Sequence, residues 1–427
     1  MLDINLIRNH PEKIKEDLQK RKDKEAITKL EDLIKTDKQW RDLKKEEDTI
    51  RQERNEISKK INKEKKAGNN AKKLIAKAKK IPKKLDEVQK QREKTEDKRK
   101  KLLWSLPNLT HETVPYGKDD TENKEIKTWG EKTKEKPKHP HQDILEKLNQ
   151  ADFERSAKIS GAGFYILKGD IALLNQALIR FAIDQLIRKG YEYQEPPLLL
   201  NKEAYETGVS LEDFEDVMYK IDGEDKYLIA TSEHPLLSQF KDDTFKEDQL
   251  PIKIAGYSMN FRKEVGSHGI DTKGIWRTHQ FNKVEQIVVC KPEDSWKIHE
   301  EMQRNVEKIH EMLELPYRVV NVCTGDLGGF AAKKYDVEVW RPRSQDYGET
   351  SSCSNYTDYQ ARRANIRYHF EQDNEYLHVH TLNGTAIATG RILVAIIENH
   401  LNDGNIIIPK VLRPYMYGKD KITLQQD

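Results

Sequence analysis

Cysteine is nearly absent from the 427-residue sequence: Cys290, Cys323 and Cys353 stand alone, without CxxC spacing or a partnered pair of histidines. A disulfide framework and a structural zinc site are therefore not expected, and a reducing cytoplasm is the natural setting. Long apolar runs are missing too. No stretch approaches the roughly eighteen residues of a membrane span, and the opening MLDINLIRNHPEKIKEDLQKR lacks the apolar core of a secretion signal. Aromatic residues make up 8% and charged residues 35%, so much of the chain must be solvated surface. It is still long enough for two or three domains and a large core.

What is present is unevenly spread. The net charge of +3 conceals a split: residues 1–100 hold 33 Lys and Arg against 21 Asp and Glu, a balance of +12, and the rest hold 43 against 52, a balance of −9. A basic module on an acidic body suits a polyanionic partner, although a solvated helical arm would carry similar charge. Ile4, Leu6, Ile7, Ile14 and Leu18 predict a short opening helix with a break near His10-Pro11. Beyond it Trp40, Leu43, Glu47, Ile50, Arg54, Ile57 and Ile61 step by three and four. Leu74, Ala78, Ile81, Leu85 and Val88 repeat that spacing past Ala67-Gly68-Asn69-Asn70. This predicts an antiparallel coiled-coil hairpin projecting on the order of 40 Å, its seam interrupted by Glu47 and Arg54 and its second helix kinked at Pro82.

The far end of that hairpin is strongly basic, with twelve lysines and one acid, Glu64, between Lys59 and Lys84. No aromatic residue accompanies them. Lys59, Lys60, Lys63, Lys65, Lys66, Lys72, Lys73 and Lys77 therefore read as contacts to a phosphate backbone, not to bases. A mere dimerisation rod is the alternative, and the central turn speaks against it. The expected division is an arm over residues 1–105, a linker and loosely structured surface segment over 106–140, and a catalytic body over 141–427.

Within the body, Ile171 to Gly190 predicts a helix with Leu173, Leu174, Ala177, Leu178, Phe181, Ala182, Leu186 and Ile187 along one face, and Tyr191 to Leu200 a strand with prolines at its edge. The richest stretch is FRKEVGSHGIDTKGIWRTHQFNKVEQ, from Phe261 to Gln286, which reads as a hairpin with a long glycine-bearing tip. Residues two apart in a strand share a face, so Arg262 and Glu264 point together, as do Arg277, His279, Phe281, Lys283 and Glu285. Such a face suits a nucleotide: arginine forks onto phosphate, phenylalanine offers a ring to a base, and a carboxylate accepts from an amine. An exposed face of cross-strand ion pairs would look the same.

Three further stretches carry chemistry. In YLIATSEHPLLSQF a strand ends at Thr231, and Thr231 or Ser232 can cap a helix with Glu233 in its first turn. In ETSSCSNYTDYQARRAN, Glu349 and Ser352 are hard oxygen donors suited to Mg²⁺ held mainly through substrate phosphates, although an ordinary polar turn would read the same. In NGTAIATGRILVAIIENH a strand over Leu377 to Leu382 is expected to turn at Asn383-Gly384 into a helix with Arg391 in its opening turn, where phosphate is favoured. The glycine-rich Gly325 to Gly329 lacks the lysine of a phosphate-binding loop and reads as backbone geometry.

The Phe261–Gln286 hairpin resembles motif 2 of the class II aminoacyl-tRNA synthetases, and its continuation DTKGIWRTHQFNKVEQ is similar to the seryl-tRNA synthetase version. The helix and strand over 171–200 resemble motif 1, which forms the family's dimer interface, and the stretch around Arg391 resembles motif 3. The fold implied is α+β: an N-terminal antiparallel coiled-coil arm, then a class II catalytic domain with an antiparallel sheet flanked by helices. The activity implied is formation of seryl-adenylate and pyrophosphate from serine and ATP, then transfer to tRNA(Ser), with tRNA(Sec) a further candidate, in a cytoplasmic homodimer. The resemblance assigns Thr231, Ser232, Glu233, Arg262, Glu285 and Thr385 to serine, and Arg262, Lys263, Glu264, Arg277, Phe281, Glu349, Thr350, Ser351, Ser352 and Arg391 to ATP. Mg²⁺ would sit on Glu349 and Ser352, zinc is not expected, and the arm would grip the long variable arm of the tRNA. A ligase that loads a carrier protein and a non-catalytic RNA-binding scaffold are the rivals. The basic arm counts against the first and the intact arginines against the second.

Overall fold

The computed structural model of the chain describes residues 1–208, 215–264 and 274–423. The centre of the hairpin tip, with Gly266 and Gly269, lies outside the described residues. The chain divides into two compact units, Met1–Leu109 and Thr110–Asp427.

The first unit is helical. Helices α1 (Ile4–Asn9) and α2 (Pro11–Lys20) meet at the expected break, where Asp3 caps the first and Pro11 opens the second. The long α3 (Lys24–Lys66) and α4 (Lys72–Ser105) follow, at 43 and 34 residues. At about 1.5 Å per residue α3 spans roughly 65 Å, longer than the sequence pattern suggested. Ile50, Ile57, Ile81 and Val88 are buried between them, with Leu43, Ile61, Ala78 and Leu85 packed alongside. Of the two seam-breaking residues, Arg54 is exposed, whereas Glu47 is buried and ion-paired to Arg92 of α4 at 2.7 Å. Helix α4 continues past Pro82.

The second unit is built on an eight-stranded sheet. Its strands are β1 (Lys124–Trp129), β2 (Glu192–Gln194), β3 (Ile252–Phe261), β4 (Gln280–Cys290), β5 (Tyr317–Asn321), β6 (Lys333–Arg341), β7 (Asp346–Asn355) and β8 (His380–Ala388), in the spatial order β1-β5-β6-β7-β8-β4-β3-β2. Every neighbouring pair is antiparallel except β2 with β3. Helices α5 (Gly169–Ile187), α6 (Glu233–Ser238), α7 (Ser295–Met312), α8 (Tyr359–Ala364) and α9 (Thr389–Asn399) accompany it. The core takes Leu174, Leu178, Phe181 and Leu186 of α5, Met302 and Val306 of α7, and Ile392, Leu393 and Ile396 of α9.

Four details depart from expectation. Lys124–Trp129, in the segment read as loose surface, forms an edge strand paired with β5 although all six of its side chains are exposed; backbone pairing, which composition does not reveal, holds it. Leu173 and Ile187 of α5 are exposed, at 39% and 44%. The stretch Tyr191–Leu200 divides at its prolines into β2 and a separate short strand, Leu199–Leu200. The chain does not turn at Asn383-Gly384: β8 runs through to Ala388 and places Thr385 opposite Glu285 of β4.

Candidate active site

Alternation along β4 brings Phe281, Lys283 and Glu285 onto one face of the sheet, at the mouth of two adjoining cavities. The outer one is lined by Arg262, Glu264, Arg277, Phe281, Glu349 and Arg391, among others. The inner one is lined by Thr231, Glu233, Glu285, Tyr356 and Asn383, with Gly328 and Gly329 of the glycine-rich turn. Arg262, Lys283 and Ser352 belong to both. A reaction between ligands in the two cavities would take place over a guanidinium and an ammonium.

The inner cavity is a network of buried polar groups. Lys283 Nζ pairs with Glu285 Oε2 at 2.6 Å, and Thr385, which lines the outer cavity, donates its Oγ1 to the same carboxylate at 3.1 Å. Asn383, diagonal to Glu285 across the β8–β4 ladder, donates its amide to Glu285 at 3.1 Å and also to Glu233. Gln360 of α8 donates to the other Glu233 oxygen at 2.8 Å. Burial, reinforced by Glu285, pushes the Glu233 carboxyl up to about 7 against the hydrogen bond from Gln360. Burial, together with Lys283 and Arg262, holds His234 down to about 3, so its ring is neutral. Thr231 closes the loop before α6, its Oγ1 accepting from the Glu233 amide at 3.2 Å.

The outer cavity holds cations against aromatic rings. The Arg262 guanidinium lies 5.2 Å from the Phe281 ring centre and donates to the Ala230 carbonyl at 3.3 Å. Burial draws its basicity down, yet an arginine remains charged. Arg277 faces Glu264 at 3.8 Å. Arg391, on the first turn of α9, donates to the Glu349 carbonyl at 2.7 Å and pairs with its carboxylate at 3.3 Å. Burial would raise Glu349, but Arg391, Lys334 and Arg262 together hold it below the usual range. Gly390 admits the start of α9, since a Cβ there would lie 2.6 Å from the Ile275 carbonyl.

Glu349 and Ser352 are three apart in β7, a spacing that normally points side chains to opposite faces. A register shift puts Val337 opposite Ser351 and Glu338 opposite Glu349, and this bulge lets both donors line the outer cavity. Two hard oxygens beside a phosphate-sized cleft fit Mg²⁺ shared with a substrate. Among the described residues no group of three or more His, Cys, Asp or Glu could hold a metal by itself.

Most of the expected residues thus converge. Ser232 does not, because Gly256 lets it pack against β3, fully buried, with its Oγ 3.5 Å from the Gly256 carbonyl. Lys263 lines neither cavity: its backbone bonds Val217 and its ammonium lies 6.0 Å from the Tyr219 ring. Thr350 and Ser351 line the outer cavity, but the Thr350 hydroxyl points to Val337 and His310. His279 turns away to Tyr219 and Phe164. Lys283, Asn383 and Gln360 carry more than the sequence suggested. Lys283 was on the expected face without a role, and the Asn-Gly pair at 383 mimics a turn signal. All eight tip lysines of the arm are exposed, and Lys77 pairs with Glu53 at 2.6 Å.

Comparison with known proteins bears on the whole chain. Residues 1–110 match the family model for the seryl-tRNA synthetase N-terminal domain, and residues 216–400 match that for the tRNA synthetase class II core domain (G, H, P, S and T). A serine–tRNA ligase from Methanospirillum hungatei is 50% identical over 98% of this chain and 100% of its own length. The crystal structure of a seryl-tRNA synthetase from Pyrococcus horikoshii complexed with ATP superposes with a TM-score of 0.94 at 46% identity, covering 100% of both chains. A cytoplasmic serine–tRNA ligase from Naegleria fowleri in complex with AMP gives 0.90 at 34% identity over 100% of this chain and 99% of its own.

Proposed function

Because the chain belongs to the seryl-tRNA synthetase family, we propose that serine occupies the inner cavity and ATP the outer one, and that adenylate forms where Arg262, Lys283 and Ser352 line both. The meeting of the two cavities at those residues is the observation that carries this reading. The serine carboxylate attacks the α-phosphorus without a covalent enzyme intermediate. The protein's work is to position the reactants and offset the charge that spreads over the phosphate. Arg262 clamps the carboxylate and the α-phosphate, Lys283 adds a second cation, and Arg277 and Arg391 take the distal phosphates. Phe281 stacks on adenine and Glu264 accepts from its amine. Glu349 and Ser352 would hold Mg²⁺, whose charge neutralises the phosphates.

Glu233 receives the serine ammonium. Glu285 and Thr385 meet the hydroxyl, so alanine would leave them unpaired and threonine must be rejected by shape. Seryl transfer to tRNA(Ser) follows, with the exposed lysines of the α3–α4 tip on the phosphates of its variable arm. A homodimer is inferred from the resemblance of residues 171–200 to the family's dimer-forming motif, a stretch in which Leu173, Ile187 and Leu198 are exposed, and a cytoplasmic location fits the three free cysteines. The test is pyrophosphate exchange with tRNA omitted. Serine should drive it while threonine, alanine and glycine do not, and exchange driven equally by alanine would overturn the serine pocket.

A further inference from the structure

The shared face of Glu349 and Ser352 depends on one surplus residue. Val337 pairs with Ser351 and Glu338 with Glu349, which leaves Thr350 unmatched in the ladder. A bulge interrupts backbone pairing and needs another support. Thr350 Oγ1 stands 3.1 Å from the Val337 carbonyl and 2.9 Å from His310 Nε2, and His310 Nδ1 is 2.8 Å from the Val306 carbonyl. A carbonyl only accepts, so Nδ1 bears the proton of the neutral ring and Nε2 accepts from the Thr350 hydroxyl. Burial keeps that ring neutral, holding it down to about 4. Both residues are almost wholly buried, at 0% and 1% exposure. His310 lies in α7, whose apolar side is set in the main core, so the helix is a firm anchor.

We propose that His310 and Thr350 are positioning residues: their hydrogen bond fixes the β7 bulge that turns Glu349 and Ser352 together toward the triphosphate and its cation. The inference deepens the ATP site and rests on the reading of Glu349 and Ser352 given above. The hydrogen-bonding atoms of both residues face each other and the Val337 and Val306 carbonyls. Their effect runs through the geometry of the strand, and outer contacts of this kind are worth roughly tenfold or more in metal affinity.

The test uses the full chain and four variants. Thr350→Val removes the hydroxyl and keeps the shape, Thr350→Ser keeps the hydroxyl, and His310→Phe removes the acceptor but retains a ring against Tyr317. Glu349→Gln is the reference. ATP binding is titrated calorimetrically with and without Mg²⁺, serine KM is measured by exchange, and thermal unfolding reports folding. Thr350→Val and His310→Phe should weaken Mg²⁺-dependent ATP binding roughly tenfold, leave serine KM unmoved, and be largely rescued in Thr350→Ser. Unchanged ATP binding in Thr350→Val, equal loss for serine and ATP, or a Thr350→Ser as weak as Thr350→Val would overturn the inference. If His310→Phe does not fold, the two Thr350 variants decide. If Glu349→Gln also leaves Mg²⁺-dependent binding intact, the reading of the phosphate site itself has failed. If Glu349→Gln weakens it and Thr350→Val does not, only the positioning role falls.

Discussion

Three buried carboxylates, Asp37 and Glu47 in the first unit and Glu233 in the second, are treated in opposite ways. In the arm, Asp37 is met by Arg8, Arg41 and Arg99 at 2.9, 3.1 and 2.6 Å, and Glu47 by Arg51 and Arg92 at 2.6 and 2.7 Å. Burial would raise both, but the arginines outweigh it and hold them low. Beneath the cleft, Glu233 faces the amides of Gln360 and Asn383, and burial pushes it up to about 7. The arm's charges are satisfied within the fold and set the register of two helices. Glu233 is supplied with hydrogen bonds but held by no direct ion pair among the described contacts, which suits the role proposed for it, to receive a ligand's ammonium. The contrast separates structural charge from charge kept for a ligand.

The largest effect is expected from Arg262→Ala, which should cut serine-dependent pyrophosphate exchange by roughly 10³-fold, as loss of a charge-stabilising donor does, with thermal unfolding little changed. Near-normal exchange would remove Arg262 from the reaction. Next, Lys59, Lys60, Lys65, Lys66, Lys72 and Lys73 changed together to Glu should cripple tRNA charging and flatten the salt dependence of tRNA binding, while exchange without tRNA stays intact. Equal damage to both steps would contradict an arm devoted to RNA.

Glu233→Gln should raise serine KM by about 10- to 100-fold, the worth of a hydrogen bond to a charged group, and leave ATP KM nearly alone. The pH dependence has a definite sign. Glu233 rises from 4.5 to about 7 on folding, so the free folded protein holds the extra proton and loses stability as pH climbs through that window. Glu233→Gln should abolish that slope in thermal melts between those limits; an unchanged slope would assign it elsewhere. The smallest effect lies in the arm. Arg92→Ala should lower the arm's stability by about 1–3 kcal/mol by leaving Glu47 half-paired, and Glu47→Leu with Arg92→Leu should restore most of it. Calorimetric unfolding of the variants distinguishes the two.

Local patterns carried much of this architecture. Heptad spacing marks α3 and α4, alternation from Phe281 to Glu285 gives the face that lines the cavities, and the helical spacing of Ile392, Ala395, Ile396 and Asn399 marks α9, although the Asn383-Gly384 pair places its start too early. What stayed hidden depends on partners distant in sequence. Asn383 joins Glu233 across 150 residues, and Asn-Gly looks locally like a turn. Lys124–Trp129 is a strand only because β5 offers its backbone. Ser232 and Lys263 sit beside true cavity residues, but the short helix α6 and the packing on Gly256 direct one inward, and Tyr219 draws the other aside. A bulge such as that at Thr350 leaves no mark in the order of residues.

We propose that Glu233 is held near its protonation midpoint for the serine ammonium. Serine binding to the full chain, titrated calorimetrically at pH 6.5 in two buffers of different ionisation enthalpy, tests it most directly. Binding should release roughly half a proton or more per serine, as the ammonium forces Glu233 to ionise, and Glu233→Gln should lose that release. Serine binding with no proton change in the unaltered protein would contradict it.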